Sequence, residues 1–243
     1  MRLTRVYVDA PLAGGSSIEL PAETAAHLVK VLRARSGDEL LLFNGDGRDF
    51  SGIVGSVRGK HVAVEIGAAR QVENESHLAV TLVQCVPRGE KMDLVVQKAT
   101  ELGVARIVPV LSQRSVVRLD EAQAQSKQEH WQAVAVSACE QCGRARLPTV
   151  ERPVPLLSYL GQLSPATHPR WVLEPHTARQ AQGASLSAAD LAIGPEGGFA
   201  DDELDAFGLA QYLPLGLGPR VLRTETAAIA ALVWLQTRFG DMS

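Results

Sequence analysis

Leu191-Ala192-Ile193-Gly194-Pro195-Glu196-Gly197-Gly198-Phe199 is a short apolar run that breaks abruptly into a glycine-rich loop. A run of this kind reads as a buried strand that ends at the Gly-Pro step. Gly194, Gly197 and Gly198 carry no Cβ, so the loop backbone can approach a ligand closely. Asp201-Asp202-Glu203 comes next, and carboxylates suit the first turn of a helix, where the dipole end is positive. The design recurs downstream. Tyr212-Leu213-Pro214-Leu215 reads as a strand, Gly216 to Pro219 as a turn, and Thr224-Glu225-Thr226-Ala227 as the start of a helix. That helix, Ala227 to Phe239, is apolar on most sides and is expected to be buried. Two glycine-rich strand ends, each feeding a helix, make one crevice of the kind in which open α/β sheets bind ligands.

Upstream of these, strands and helices alternate, the pattern of a parallel α/β sheet. Leu78 to Val83 is a near-continuous apolar strand, as expected for a strand covered on both faces. It is followed by a helix from Lys91 to Leu102, a strand at Ile107 to Val110, a helix from Asp120 to Cys142 and a strand at Trp171 to Leu173. The first 70 residues read differently. Short period-two strands at Arg5 to Val8, Glu39 to Phe43, Phe50 to Val54 and His61 to Ile66 flank a tight-turn signal at Asn44-Gly45-Asp46-Gly47. One helix, Ala22 to Arg33, interrupts them, and the whole suggests a small β barrel. The polar residues 71–77 read as a linker, giving domains at 1–70 and 78–243.

At 243 residues, 46% hydrophobic and 21% charged, the composition is that of an ordinary soluble protein. No apolar run approaches the roughly 20 residues of a membrane span and no signal-peptide core is present, so a cytoplasmic location is the expectation. The net charge of −3 provides no global basic field. Any nucleic-acid contact must therefore come from local patches.

Cys85, Cys139 and Cys142 are an odd number of thiols in a long chain, which argues against a disulfide framework. Cys139-x-x-Cys142 invites a metal or redox reading. It lies inside an expected helix, however, without a second Cys or His pair at zinc spacing, so the expectation is small buried thiols and no metal. Lys30, Arg33, Arg35 and Arg5 read either as a compact RNA-binding patch or as basic residues that complement a helix dipole. Arg88 and Lys91, Arg114 and Arg144 stand near strand ends or after a helix, where they could meet RNA phosphates.

Gly194 to Phe199, then Leu215-Gly216, then Leu222 to Ala227 resemble the cofactor-binding motifs of the SPOUT class of RNA methyltransferases. The resemblance is strongest to the RsmE family, bacterial enzymes that methylate N3 of a uridine in 16S ribosomal RNA. It extends to Gln97 through Val104, Arg114-Ser115-Val116, Glu140-Gln141 with Arg144, and His27 through Arg33, and so spans nearly the whole chain. It implies a PUA-like RNA-binding barrel followed by a SPOUT domain with a C-terminal trefoil knot, a homodimer, and activity on the small ribosomal subunit. S-adenosylmethionine is the implied cofactor, with Leu173, Gly194, Glu196, Gly197, Leu215, Gly216, Leu222, Arg223, Glu225 and Ala227 as its wall.

Arg5, His27, Lys30, Arg33, Arg35, Arg88, Lys91, Arg114 and Arg144 are the implied RNA contacts. Arg223 is the candidate for holding negative charge on the uracil, and Glu196 or Glu225 for accepting the N3 proton; Glu225 reads equally well as a helix-capping residue. Two positions depart from the family pattern. Cys142 stands where a small polar residue is expected, and Ala200 replaces the usual Ser or Thr before a helix, weakening its cap. A SPOUT enzyme acting on a tRNA base or a ribose hydroxyl, and a noncatalytic RNA-binding protein, remain as alternatives. Decayed cofactor loops would favour the second alternative, and these loops are intact.

Overall fold

A computed structural model describes residues 3–30, 33–59, 61–175, 177 and 185–242, with the side chain of His27 excepted. The chain forms two compact units, residues 1–75 with 139–147, and residues 76–138 with 148–243.

The first unit is a five-stranded sheet with one helix. The strands β1 (Thr4–Tyr7), β2 (Ser17–Glu19), β3 (Glu39–Phe43), β4 (Arg48–Arg58) and β5 (His61–Gln71) lie in the order β1-β3-β4-β5-β2, and α1 (Ala22–Lys30) joins them. β1 runs parallel to β3 and the other pairs are antiparallel. The period-two pattern does what was expected of it. Alternate residues of β3, β4 and β5, among them Leu40, Leu42, Phe50, Val54, Val62 and Val64, turn inward with Val6 and Leu28. Register shifts between β4 and β5 curve the sheet around this core. Gly45 and Gly47 take φ of +91° and +96°, which explains the tight-turn signal between β3 and β4.

The expected simple linker at 71–77 is corrected. β5 continues to Gln71, Asn74 donates to the Gly143 carbonyl at 3.0 Å, and Glu75 accepts from the Arg144 guanidinium at 2.9 and 3.0 Å. The end of a long helix thus returns to the first unit, a non-local event that no sequence pattern announces. Arg5 is corrected with it. It is buried, donates to Asp49 at 2.6 Å and to the Cys139 carbonyl at 2.7 Å, and so is not part of an exposed cationic patch.

The second unit is an all-parallel sheet. Its strands are β6 (Ala79–Cys85), β7 (Val104–Leu111), β8 (Thr149–Val150), β9 (Val154–Pro155), β10 (Arg170–Leu173), β11 (Ala188–Ile193) and β12 (Tyr212–Leu215). They lie in the order β12-β10-β11-β6-β7-β8, with β9 also on β7. The helices are α2 (Lys91–Glu101), α3 (Glu121–Cys142), α4 (Leu156–Gly161), α5 (Asp201–Leu209) and α6 (Thr224–Phe239).

Both faces are covered, which is why the strands read as apolar runs. Leu82, Ile107, Trp171 and Leu191 face α2 and α6, while Val83, Val108, Val172 and Ala192 face Phe207 of α5 and Tyr159 of α4. The expectation that the last helix is wholly buried holds for Ala228, Ala231, Leu232 and Leu235, but Ile229, Ala230 and Val233 form a half-exposed apolar stripe.

Candidate active site

Parallel pairing sets Val172 beside Ala192, Leu173 beside Leu215 and Ile193 beside Gln84. The carboxyl ends of β6, β10, β11 and β12 therefore emerge side by side. The segments after β10, β11 and β12 enclose a pocket of about 510 Å³. Its bed is apolar, made by Leu173, Ile193, Leu217, Leu222 and Ala227. Glu174, Glu196, Thr224, Arg220 and Arg223 bring polar groups to its wall.

Local packing shapes the walls. Gly198 takes φ of +67° and its N–H donates to the Pro195 carbonyl at 3.0 Å, closing the turn after β11. A Cβ on Gly194 would lie 3.2 Å from the Phe199 ring, which is itself held by Phe207 with centroids 4.8 Å apart. The Thr224 hydroxyl donates to the Gly194 carbonyl at 2.7 Å and accepts from Gln84 Nε2 at 2.9 Å, tying β6, the loop and α6 together. Ala200 offers no side-chain cap to α5, as expected, and a separate contact is made there by Glu203. Its buried carboxylate accepts from the Ala200 N–H at 2.9 Å and from the Gln113 N–H at 2.8 Å.

Lys91 is the electrostatic centre of one wall. Its Nζ lies 3.3 Å from Glu196 Oε1 and 3.5 Å from Glu225 Oε2. Glu196 also accepts from the Arg88 N–H at 3.3 Å. Burial works upward on the Glu196 carboxyl, but its own N–H, the Arg88 N–H and Lys91 together hold it below the usual carboxylate range.

The sequence-derived residues separate accordingly. Leu173, Gly194, Glu196, Leu222, Arg223 and Ala227 line the pocket. Gly197 is not among its lining residues but touches Arg114, whose Nη1 donates to the Gly197 carbonyl at 3.3 Å. Leu215 lies wholly within the apolar core. Gly216 is not among the lining residues either, and a Cβ there would come within 1.8 Å of the Thr177 carbonyl oxygen. The glycine admits another stretch of the chain. Glu225 lies outside the lining and faces Lys91.

Among the expected RNA contacts, Arg88 and Arg114 are exposed near the loop at 194–198, and Lys91 is half-buried there. Lys30, Arg33 and Arg35 are exposed on the first unit, and the His27 side chain lies outside the described residues. Arg144 is corrected, being buried and paired with Glu75.

The sequence reading missed Arg220, Glu174, Gln84 and the role of Thr224. Gln84 did carry a signal, a polar residue in an otherwise apolar strand, which must find partners when buried. Among the described residues there is no cluster of three or more His, Cys, Asp or Glu side chains suited to a metal, and no helix is long and apolar enough to cross a membrane.

Comparison with known proteins places this pocket in context. Residues 74–236 match the family described as "RNA methyltransferase domain", and residues 20–67 match "RNA methyltransferase PUA domain". The ribosomal RNA small subunit methyltransferase E of Buchnera aphidicola (Schizaphis graminum) is 31% identical, aligned over 100% of this chain and 99% of its own. The Bacillus subtilis protein of the same name is 30% identical over 89% of this chain and 88% of its own.

Two solved structures superpose closely. A Legionella pneumophila methyltransferase in complex with bound S-adenosylmethionine has a TM-score of 0.94 at 39% identity, covering 99% of this chain and all of its own. A Neisseria gonorrhoeae ribosomal RNA small subunit methyltransferase E bound to S-adenosyl methionine has a TM-score of 0.91 at 32% identity, covering both chains completely. With a PUA-like unit, a parallel α/β unit and a pocket at the carboxyl edge of its sheet, this chain belongs to the RNA methyltransferase family, in the group of ribosomal RNA small subunit methyltransferase E proteins.

Proposed function

We propose that this protein transfers a methyl group from S-adenosylmethionine to N3 of a uridine in 16S ribosomal RNA, on the small ribosomal subunit. The observation that carries the reading is the pocket itself, an apolar bed at the ends of β10, β11 and β12 with two arginines and two carboxylates on its wall. The residues fit the cofactor. Leu173, Leu217, Leu222 and Ala227 suit a flat base, and Glu174 and Glu196 suit a cationic sulfonium and ribose hydroxyls while repelling phosphate. When bound, the cofactor supplies an electrophilic methyl group.

The chain's own contribution is orientation and charge. Arg223, exposed at the pocket and preceding α6, is placed to hold the negative charge that develops on the uracil carbonyl, with Arg220 beside it on the same wall. Neither carboxylate is set up as a base: Glu196 is held as a carboxylate by Lys91 and two N–H groups, and Glu225 is outside the pocket lining with Lys91 beside it. We assign both to positioning the loop and α6, with the N3 proton passing to water. Arg88 and Arg114 then meet RNA phosphates near the pocket, and Lys30, Arg33 and Arg35 do so on the first unit. Unpaired RNA is the substrate form, since pairing hides N3.

The family resemblance extends the proposal to a trefoil knot formed by the segment from about Leu191 onward, to a homodimer and to the cytoplasm. The half-exposed stripe Ile229, Ala230 and Val233 on α6 supports the dimer, because a helix apolar all round is otherwise buried. Incubation with small subunits lacking the modification, followed by nucleoside mass analysis, tests the reading. N3-methyluridine supports it; methylation of a ribose hydroxyl, of tRNA only, or of nothing refutes it.

A further inference from the structure

Gln84 is a wholly buried amide near the end of β6, paired with Ile193 of β11 on one side and Pro109 of β7 on the other. A strand covered on both faces ordinarily carries an apolar side chain at such a place. The amide is satisfied at one end only. Its Nε2 donates to the Cys85 carbonyl at 2.8 Å and to the Thr224 hydroxyl at 2.9 Å, while its Oε1 has no hydrogen-bond partner among the described residues. Chemistry fixes this orientation. The single hydroxyl proton of Thr224 goes to the Gly194 carbonyl at 2.7 Å, so the hydroxyl oxygen can only accept from Gln84, and the Cys85 carbonyl requires a donor as well. An orphaned buried oxygen costs stability, and an apolar side chain of similar volume would avoid that cost. Stability alone therefore does not account for a glutamine here.

We propose that Gln84 is a positioning residue for methyl transfer, which holds the Thr224 hydroxyl on the Gly194 carbonyl and so fixes where Arg223 enters the pocket, a role that rests on Arg223 acting in transfer to uridine N3. Residues 216–223, between β12 and α6, take neither helix nor strand. Thr224 is the first residue of α6, and Arg223, directly before it, is extended and has a side chain that does not cap the helix. The Arg223 carbonyl accepts from the Ala227 N–H at 2.7 Å, which closes the first turn. A closed turn moves as one piece, so whatever holds Thr224 also sets Arg223.

The relay runs from the β6 amide to the Thr224 hydroxyl to the Gly194 carbonyl. Gly194, Arg223 and Thr224 all line the pocket, whereas Gln84 does not and acts only through them. Without the amide the hydroxyl loses one of its two partners, and α6 loses its fixed register against the loop after β11. A misplacement of about 1 Å at a reacting centre can cost about 10²-fold in rate.

The test uses the full chain, small ribosomal subunits lacking the modification, and S-adenosylmethionine. Gln84→Met keeps the size of the side chain and removes the donor. Single-turnover formation of N3-methyluridine should fall about tenfold, with the cofactor Kd from calorimetry within about threefold of wild type. In an Arg223→Ala background the same substitution should slow transfer by less than about twofold, because the group it positions is gone; a merely structural role would slow both backgrounds equally. Thr224→Val removes the same bond from its other end, and it carries the comparison if Gln84→Met shows no cooperative thermal unfolding. Thr224→Ser keeps the hydroxyl and should stay within about threefold of the wild-type rate. A wild-type rate in Gln84→Met, an equal loss in both backgrounds, or a loss explained by weaker cofactor binding overturns the proposal while leaving methyl transfer to N3 intact. A wild-type protein that makes no N3-methyluridine overturns both.

Discussion

Lys91 stands 3.3 Å from Glu196 and 3.5 Å from Glu225, and this one contact changes how both carboxylates are understood. A sequence reading sees two acids near a cofactor loop and proposes a proton acceptor. The structure joins them to one ammonium group from α2, more than a hundred residues away in the chain, and no local pattern carries that information. Glu196→Gln is therefore expected to keep methyl transfer within about tenfold of wild type, whereas loss of a general base costs about 10²–10⁴. Single-turnover rates distinguish the two.

The same group fixes a pH dependence. Because the folded pKa of Glu196 is lowered, its contribution to loop stability is present above the ordinary carboxylate range and is lost as pH falls below it. Cofactor affinity measured by calorimetry should weaken on acidification, and less so in Glu196→Gln. Arg223 and Leu222 were legible because they sit in a dense local motif. Arg5 and Arg144 were not, because their burial depends on the return of residues 139–147 to the first unit.

At the scale of elements, the strands were the most legible feature. β12 begins and ends where its apolar run does, and β6, β10 and β11 read as apolar because α2 and α6 cover one face and α4 and α5 the other. The short β8 and β9, two residues each, had no pattern long enough to be seen. The weak cap at Ala200 was legible, since an alanine has no oxygen to offer the first-turn N–H groups. The Glu203 carboxylate makes a separate contact, satisfying the Ala200 and Gln113 N–H groups together while 1% exposed. Glu203→Ala should leave both donors without that partner and cost about 1–3 kcal/mol or more in chemical denaturation. A change under a few tenths would mean that water or a rearranged loop takes over.

For the molecule as a whole, the two-part organisation was legible as a change of period from two to a strand-helix alternation, and the composition left RNA binding to local patches. The apolar stripe on α6 bears on assembly. Light scattering should give twice the 26.0 kDa chain mass, and Val233→Arg should shift the protein toward the monomer without unfolding it. A monomeric wild-type protein at micromolar concentration would remove the dimer from the account.

Catalysis in this protein depends most heavily on Arg223 acting on charge that appears only during transfer. The direct measurement is single-turnover methyl transfer to small ribosomal subunits by wild type and Arg223→Ala, with S-adenosylmethionine affinity measured by calorimetry on the same preparations. A rate lowered about a hundredfold or more, at a cofactor Kd within a few-fold of wild type, is the predicted result. An unchanged rate, or a loss explained entirely by weaker cofactor binding, would contradict it.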